Sequence, residues 1–274
     1  MLTDFPRVPV EEGAKFRSYY KYFNRPLLDI PEEKAELLKH PLLPTEKGLE
    51  LADRNKIFEP GYLPDEMGVT HLRSGGYCFA NHTKVPGGSG AMLQWWFAWH
   101  PLDNLRYSLW DPRDHYTVGI TEDTRKKLLD PNLTTLEKCQ DVTHSNTESV
   151  LLGTEPISVV LHFMKPQDMG WDASRIGTKD CSFFLCGNVV KPNGGGQPIV
   201  IMHTARDFDG YCELRSRIWV GYQIIDGKEV CVVPEGFEIP EAGLASQLQH
   251  HFFEFTNLAA ILPKIYAEEK DNWA

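Results

Sequence analysis

His250 and Glu254 stand four residues apart in the stretch Gln249-His250-His251-Phe252-Phe253-Glu254-Phe255-Thr256-Asn257-Leu258-Ala259. On a helix, residues at this spacing point the same way, so one rigid element can offer an imidazole and a carboxylate to a single metal ion. His251 could replace His250 at i,i+3. Its direction, however, falls nearer the apolar stripe of Leu244, Leu248, Phe252, Phe255, Ala259 and Leu262. The plainer reading of the pair is a His–Glu contact on the solvent side of an amphipathic helix. Against it, Phe253, Ala260 and Ile261 share the supposed polar side. The pair is therefore expected to be buried, and a buried carboxylate needs a cation or hydrogen-bond donors.

Other residues could join it. His115 closes Tyr107-Ser108-Leu109-Trp110-Asp111-Pro112-Arg113-Asp114-His115, and Glu148 precedes a strand that turns apolar. His203 ends the apolar run Ile199-Val200-Ile201-Met202. Each of these, taken alone, reads as structural. The next strand carries Glu213, Arg215 and Arg217 at alternate positions, with Leu214 and Trp219 beside them. That charged face is either solvated or lines a polar part of a cavity. The chain has no GxGxxG, P-loop, HExxH or GxSxG motif, which speaks against nucleotide enzymes, zincins and serine hydrolases.

With 274 residues, 42% of them hydrophobic and 11% aromatic, the chain can bury a sizeable core. Its net charge of -10 excludes a sequence-independent grip on nucleic acid. No apolar run approaches a membrane span. The start, Met1-Leu2-Thr3-Asp4-Phe5-Pro6, lacks a basic stretch followed by an apolar core, so a cytoplasmic protein is expected. The six cysteines, none in a CxxC, read as buried free thiols.

The elements that must position these residues follow in order. Residues 1–70 are rich in proline and charge and are expected to form a small, mainly helical N-terminal region, leaving 71–274 as the main domain. Tyr19–Phe23 and Glu32–Lys39 read as short helices. Gly75–His82 is a strand candidate, and Met92–His100, with three tryptophans, is a buried helix or strand. Residues 121–141 read as loop and a short helix. Ser145–Gly153, Pro156–Met164, Cys181–Val190 and Pro198–Thr204 alternate as strands, with a break at Lys191–Gly196. Tyr211–Ile224 and Glu229–Val233 flank an Asp226-Gly227 hairpin turn. A long helix starts after Pro240, and Pro263 should kink or end it. The economical packing is α+β: a curved antiparallel sheet wrapped round the C-terminal helix, with a cavity between them.

Trp95–His100, Tyr107–His115, the Glu148 strand, His203-Thr204-Ala205-Arg206-Asp207 with Glu213–Arg217, and His250-x-x-x-Glu254-Phe-Thr-Asn-Leu-Ala together cover most of residues 90–262. In order and spacing the chain resembles the diacetylphloroglucinol hydrolase and phloretin hydrolase family, and lies nearer phloretin hydrolase. The resemblance implies a helix-grip, Bet v 1-like domain, dimeric, with one Zn2+ held by His115, Glu148, His250 and Glu254. It places His203 and Tyr107 beside the substrate, His203 as proton donor or oxyanion stabiliser and Tyr107 orienting a ring hydroxyl. Val118 stands where the family has a substrate-contacting Asn, and Arg217 and Trp219 join the substrate-side candidates. The implied reaction is hydrolysis of the carbon–carbon bond between an acyl group and a phloroglucinol ring, with phloretin as substrate. Diacetylphloroglucinol is the alternative substrate. The competing readings are a non-catalytic helix-grip protein binding aromatic molecules and a non-haem iron oxygenase using two His and one carboxylate.

Overall fold

The computed structural model describes residues 6–150, 154–191 and 197–273. The expected end of the Ser145–Gly153 strand, beyond residue 150, and the break at 192–196 lie outside them. The N-terminal stretch supplies α1 (Tyr20–Phe23), α2 (Glu32–Leu37), the two-residue β1 (Leu42–Leu43) and a 3-10 helix over Leu51–Phe58, then runs into β2 (Gly68–His71). After β3 (Tyr77–Pro86), the tryptophan run forms helix α3 (Gly90–Trp99), whose first turn is capped by the Ser89 hydroxyl accepting from the Met92 N–H. A helix apolar on all sides must be buried on all sides, and α3 is buried from Leu93 to Trp99. Helix α4 (Asn104–Trp110), capped by Asp103, leads to β4 (His115–Ile120). The polar stretch forms α5 (Glu122–Leu129) and α6 (Thr135–Lys138), the latter closed by a Thr134–Glu137 capping box. Strands β5 (Val142–Glu148), β6 (Ile157–Phe163), β7 (Phe183–Val190), β8 (Ile199–Phe208) and β9 (Tyr211–Val220) follow.

Among the described residues, nine strands form one sheet in the order β1-β2-β3-β9-β8-β7-β6-β5-β4, antiparallel except at β1–β2. The long hairpin expected from Tyr211 to Val233 is divided. Gly221, at φ +92, ends β9; a side chain there would meet Val233 and be strained. Beyond it, β10 (Tyr222–Ile225) leaves the large sheet and pairs with β11 (Lys228–Cys231). Asp226 and Gly227, both at positive φ, make the tight turn between them.

Helix α7 (Glu241–Glu269) lies across one face of the sheet and continues past Pro263, so it does not end there. Buried Leu262 and Ile265 on either side hold the turn in the core, while Pro263 itself sits toward the half-exposed side. Strands far apart in the sheet order reach the same turn of this helix. Asn81 of β3 donates to the His251 carbonyl at 2.8 Å, while His115 of β4 lies 3.6 Å from the Glu254 carboxylate. Strands this far apart in the order can meet one helix turn only if the sheet curves round it. The architecture is thus the expected α+β helix grip.

The opposite face is covered too. Cys78, Val200, Met202 and Trp219 project outward under Leu51, Phe58, Met169 and Trp171. Beside them Arg215 and Arg217, both fully buried, pair with Glu66 and Asp65 from the N-terminal stretch. Burial opposes the Glu66 charge, yet the Arg215 hydrogen bonds and the nearby Arg217 outweigh it and pull Glu66 down to about 2. A carboxylate lowered in this way stabilises the fold above the unfolded-state value near 4.3, and the contribution fades as pH falls toward 2. The difference corresponds to about 3 kcal/mol. Denaturant unfolding at pH 7 and pH 3 should therefore show Glu66→Gln markedly less stable than the parent at pH 7, with that deficit cut to about half at pH 3. An equal deficit at both pH values would show that the ion pair contributes nothing beyond its packing.

Candidate metal centre

A tight turn sets one side of the site. His115 N–H donates to the Asp111 carbonyl at 3.0 Å, and the Ser108 hydroxyl donates to the His115 carbonyl at 2.8 Å. Asp111, Asp114 and His115 are thereby gathered at the junction of α4 and β4. Asn257, one turn beyond Glu254, pins this junction to α7 by donating to the carbonyls of Leu109 and Trp110 at 3.0 and 2.7 Å. The register of β4 on β5 then sets His115 directly opposite Glu148.

The four residues of the expected ligand set are brought together. His115 Nε2 is 3.8 Å from Glu148 Oε2 and 3.6 Å from Glu254 Oε2. His115, Glu148 and His250 each offer a ligand atom within 4.8 Å of the others, as do His250, His251 and Glu254. The remaining ring nitrogens are already engaged. His250 Nδ1 faces Asp114 Oδ2 at 3.4 Å, and His115 Nδ1 faces the Tyr107 carbonyl at 3.4 Å. Such contacts orient imidazoles so that Nε2 is presented to a metal ion. His251 contributes differently: its Nδ1 holds Glu254 Oε1 at 2.9 Å.

Two imidazoles and two carboxylates lining the same end of one cavity are a donor set suited to a divalent ion such as Zn2+. The electrostatics agree. Burial, with Glu148, Asp111 and Asp114 adding repulsion, pushes the Glu254 carboxyl well above its usual range despite His250. Burial and then Asp114 push Asp111 up to about 6. Burial opposes a charged His250, but the Asp114 hydrogen bond and the Glu254 and Asp111 carboxylates outweigh it and raise it to about 10. Without a metal ion, therefore, a proton on His250 is the cation this cluster attracts. Asp111 and Asp114 are the site residues that sequence reasoning missed. The signal was an Asp-x-x-Asp-His run immediately before a proposed ligand.

A cavity of about 300 Å³ opens onto this cluster, at the lower end of the range for small-molecule sites. Its walls are the inward residues of the sheet, among them Val159, Leu161, Val189, Ile201 and Ile218, with Phe237 and Ile239 from the loop before α7. His115, Glu148, His250 and Glu254 form its polar end together with Tyr107, Asn146 and His203. Tyr107 is stacked on His115 at 4.2 Å between ring centres and donates its hydroxyl proton to Glu148. Burial, reinforced by Glu148, raises the Tyr107 phenol well above its usual range. His203 is packed face to face with Phe97, and its Nδ1 lies 2.8 Å from the Ser216 hydroxyl. Burial pushes His203 down to about 3, so it is neutral near pH 7.

Three expected substrate-side residues lie elsewhere. Arg217 and Trp219 sit on the outer face of β9, Arg217 on Asp65 and Trp219 donating to the Leu49 carbonyl at 2.9 Å. Strand alternation sends Ser216, Ile218 and Val220 inward instead. Val118 pairs with Asn146 across the strands but borders a separate outer groove between residues 9–17 and α4.

Fold and site together define a helix-grip protein with a buried polar cluster, rich in His and carboxylate, at the end of an apolar cavity. Residues 49–267 match the family model described as the DAPG hydrolase PhiG domain, and the chain belongs to that family. It is 36% identical to a phloretin hydrolase of Eubacterium ramulus over 278 aligned residues, covering 100% of this chain and 98% of that one. It is 26% identical to a 2,4-diacetylphloroglucinol hydrolase of a Pseudomonas species, covering 94% and 90%. Among solved structures it is similar to a major latex-like protein of Panax ginseng, with a TM-score of 0.40 and 11% identity over 68% of this chain and 97% of that one. A norcoclaurine synthase of Thalictrum flavum aligns with a TM-score of 0.32 and 10% identity over 64% and 92%.

Proposed function

We propose that this protein is a zinc-dependent hydrolase that cleaves the carbon–carbon bond between an acyl group and a phloroglucinol ring, with phloretin as its substrate. The observation that carries the reading is the convergence of His115, Glu148, His250 and Glu254 at the polar end of an otherwise apolar cavity. The relatives named for phloretin and diacetylphloroglucinol hydrolysis support the substrate class. The apolar side chains lining the rest of the cavity suit an arylpropionyl chain. In balance, phloretin and one water give phloroglucinol and 3-(4-hydroxyphenyl)propionic acid. The acyl carbon takes the water oxygen, and the ring carbon takes a proton. An aryl carbanion is a very poor leaving group, so that carbon must be protonated before the bond breaks.

Bound zinc would supply Lewis acidity toward a carbonyl or ring oxygen. The chain's own groups do the rest. With Nδ1 engaged by Ser216, His203 serves the cavity through Nε2. Its neutrality selects hydrogen-bond donation to a developing oxyanion over proton delivery by an imidazolium. Tyr107, fixed by Glu148 and Asn146, walls the ring pocket and holds the Glu148 carboxylate in place. The aliphatic walls keep water off the acyl chain. The reading includes a cytoplasmic homodimer. Among the described residues no helix is long and apolar enough to cross a membrane, and the cysteines are unpaired, five of them buried.

Anaerobic incubation with phloretin and, separately, with diacetylphloroglucinol tests it, with released acid followed by chromatography and metal by elemental analysis. The expected result is phloretin cleavage without oxygen and about one zinc per chain. Cleavage of diacetylphloroglucinol alone would reverse the substrate assignment, and iron with oxygen-dependent turnover would overturn the reaction.

A further inference from the structure

Asn146 sits on β5 among the groups that line the polar end of the cavity, and it is nine-tenths buried. Its side-chain amide donates from Nδ2 to the Tyr107 hydroxyl at 3.2 Å. Its Oδ1 is buried and has no hydrogen-bond partner among the described residues. A buried amide oxygen left unpaired costs free energy comparable to a lost hydrogen bond, so it calls for a donor from something that enters the cavity.

The orientation of that amide follows from counting protons. The Tyr107 hydroxyl has one proton and gives it to Glu148. The tyrosine oxygen can then only accept, and Asn146 must present NH2 to it. Turning the amide over would set two acceptors face to face. The atom left unpaired is therefore a carbonyl oxygen, which accepts and cannot donate.

We propose that Asn146 is a specificity-determining residue whose Oδ1 accepts a hydrogen bond from a phenolic hydroxyl of the bound ring. This rests on the proposed function for the identity of the ring, but not for the need of a donor. A phenol O–H meets the requirement, whereas an ether, a halogen or a bare ring edge leaves the amide oxygen unpaired. A site built to pair with a hydroxyl rejects analogues lacking it strongly, because its own buried group is then stranded. The chain of contacts from Asn146 through Tyr107 to Glu148 also ties ring recognition to the geometry of the metal cluster.

The test is a cycle in which residue and ligand are both altered. Dissociation constants are measured on the zinc-loaded protein, by tryptophan fluorescence, for trihydroxyacetophenone and two analogues. One analogue lacks both hydroxyls ortho to the acyl group, and the other lacks the para hydroxyl. The acyl group keeps the ring from turning to hide the missing hydroxyl. The parent protein should discriminate against one analogue by roughly tenfold, and in Asn146→Ala that ratio should shrink to within about twofold. A purely structural role acting through Tyr107 would weaken all three ligands alike and leave both ratios unchanged; that result overturns the proposal, as does failure of the parent protein to bind trihydroxyacetophenone. Asn146→Ser, which keeps a small polar group, is read in the same way if the alanine variant loses its melting transition or its zinc. Because the readout is binding, failure to cleave phloretin would sink the functional reading while leaving this inference to stand or fall on the ratios.

Discussion

Glu254→Gln should lose the metal ion and, with it, at least roughly a thousandfold in kcat/KM, the equivalent of the several kcal/mol that Lewis-acid stabilisation supplies. Its effect on stability should change sign with metal content. In metal-free protein the Glu254 carboxyl is pushed well above its usual range, first by burial and then by Glu148, Asp111 and Asp114. A carboxyl raised in this way is least costly at low pH, where both folded and unfolded forms are protonated. It destabilises the fold increasingly as pH rises past the unfolded value. Glutamine keeps the shape and the acceptor for His251 but removes the charge. Metal-free Glu254→Gln should therefore melt a few degrees higher than metal-free parent at pH 7, and lower than zinc-loaded parent. Elemental analysis and melting curves with and without chelator check both halves. Full zinc occupancy in the variant would remove Glu254 from the ligand set.

His203→Ala should do the reverse, keeping the zinc and losing turnover. If the neutral imidazole donates to the developing oxyanion, its removal should cost about 10²–10³ in kcat, the scale set by deleting one such donor. Zinc content should stay near that of the parent, because no ligand atom is touched. The alanine leaves a hole against Phe97 and Phe255, both in ring contact with His203; His203→Gln, which refills part of it and can still donate, should recover some of the rate. Because burial holds His203 at about 3, the parent should show no loss of kcat assignable to this residue between pH 5 and pH 9. A rate limb near the ordinary histidine value that vanishes in His203→Gln would show that the imidazole works as a charged acid after all. Loss of zinc in His203→Ala would mean that ligand and hydrogen-bond donor have been exchanged.

The helical spacing of His250 and Glu254, the apolar cover around them and the strand–turn texture before them could all be read along the chain, because helix and strand periodicity are local properties. The Asp226-Gly227 turn and the switch from β pattern to helix after Pro240 were legible for the same reason. The long sequence Tyr211–Ile224 gave no sign of where it would leave the sheet. That depends on the space Val233 takes beside Gly221, a contact made only after folding.

The wrong face was chosen for Arg217 and Trp219 because β9 is buried along nearly its whole length on both sides. Alternation says which residues share a face, but when both faces are covered it cannot say which one meets the cavity. In the fold, Leu51, Phe58 and Trp171 cover the outer side, and Asp65 and Glu66 neutralise the arginines there. Asp111, Asp114 and Asn146 were hidden for a related reason. An acid or amide on its own element carries no mark of the imidazole or phenol it will orient.

By itself, the sequence determined that a long C-terminal helix would present an imidazole and a carboxylate from one side, since 3.6 residues per turn settle that wherever the helix lies. Only the tertiary structure decided what meets them. Curvature of the sheet carries β4 and β5, at the far end of the strand order, to the same helix turn that β3 touches. The register of His115 on Glu148 then delivers the second pair of candidate ligands. Pairing across such sequence distances is set by the shape of the packed core and leaves no trace in local spacing.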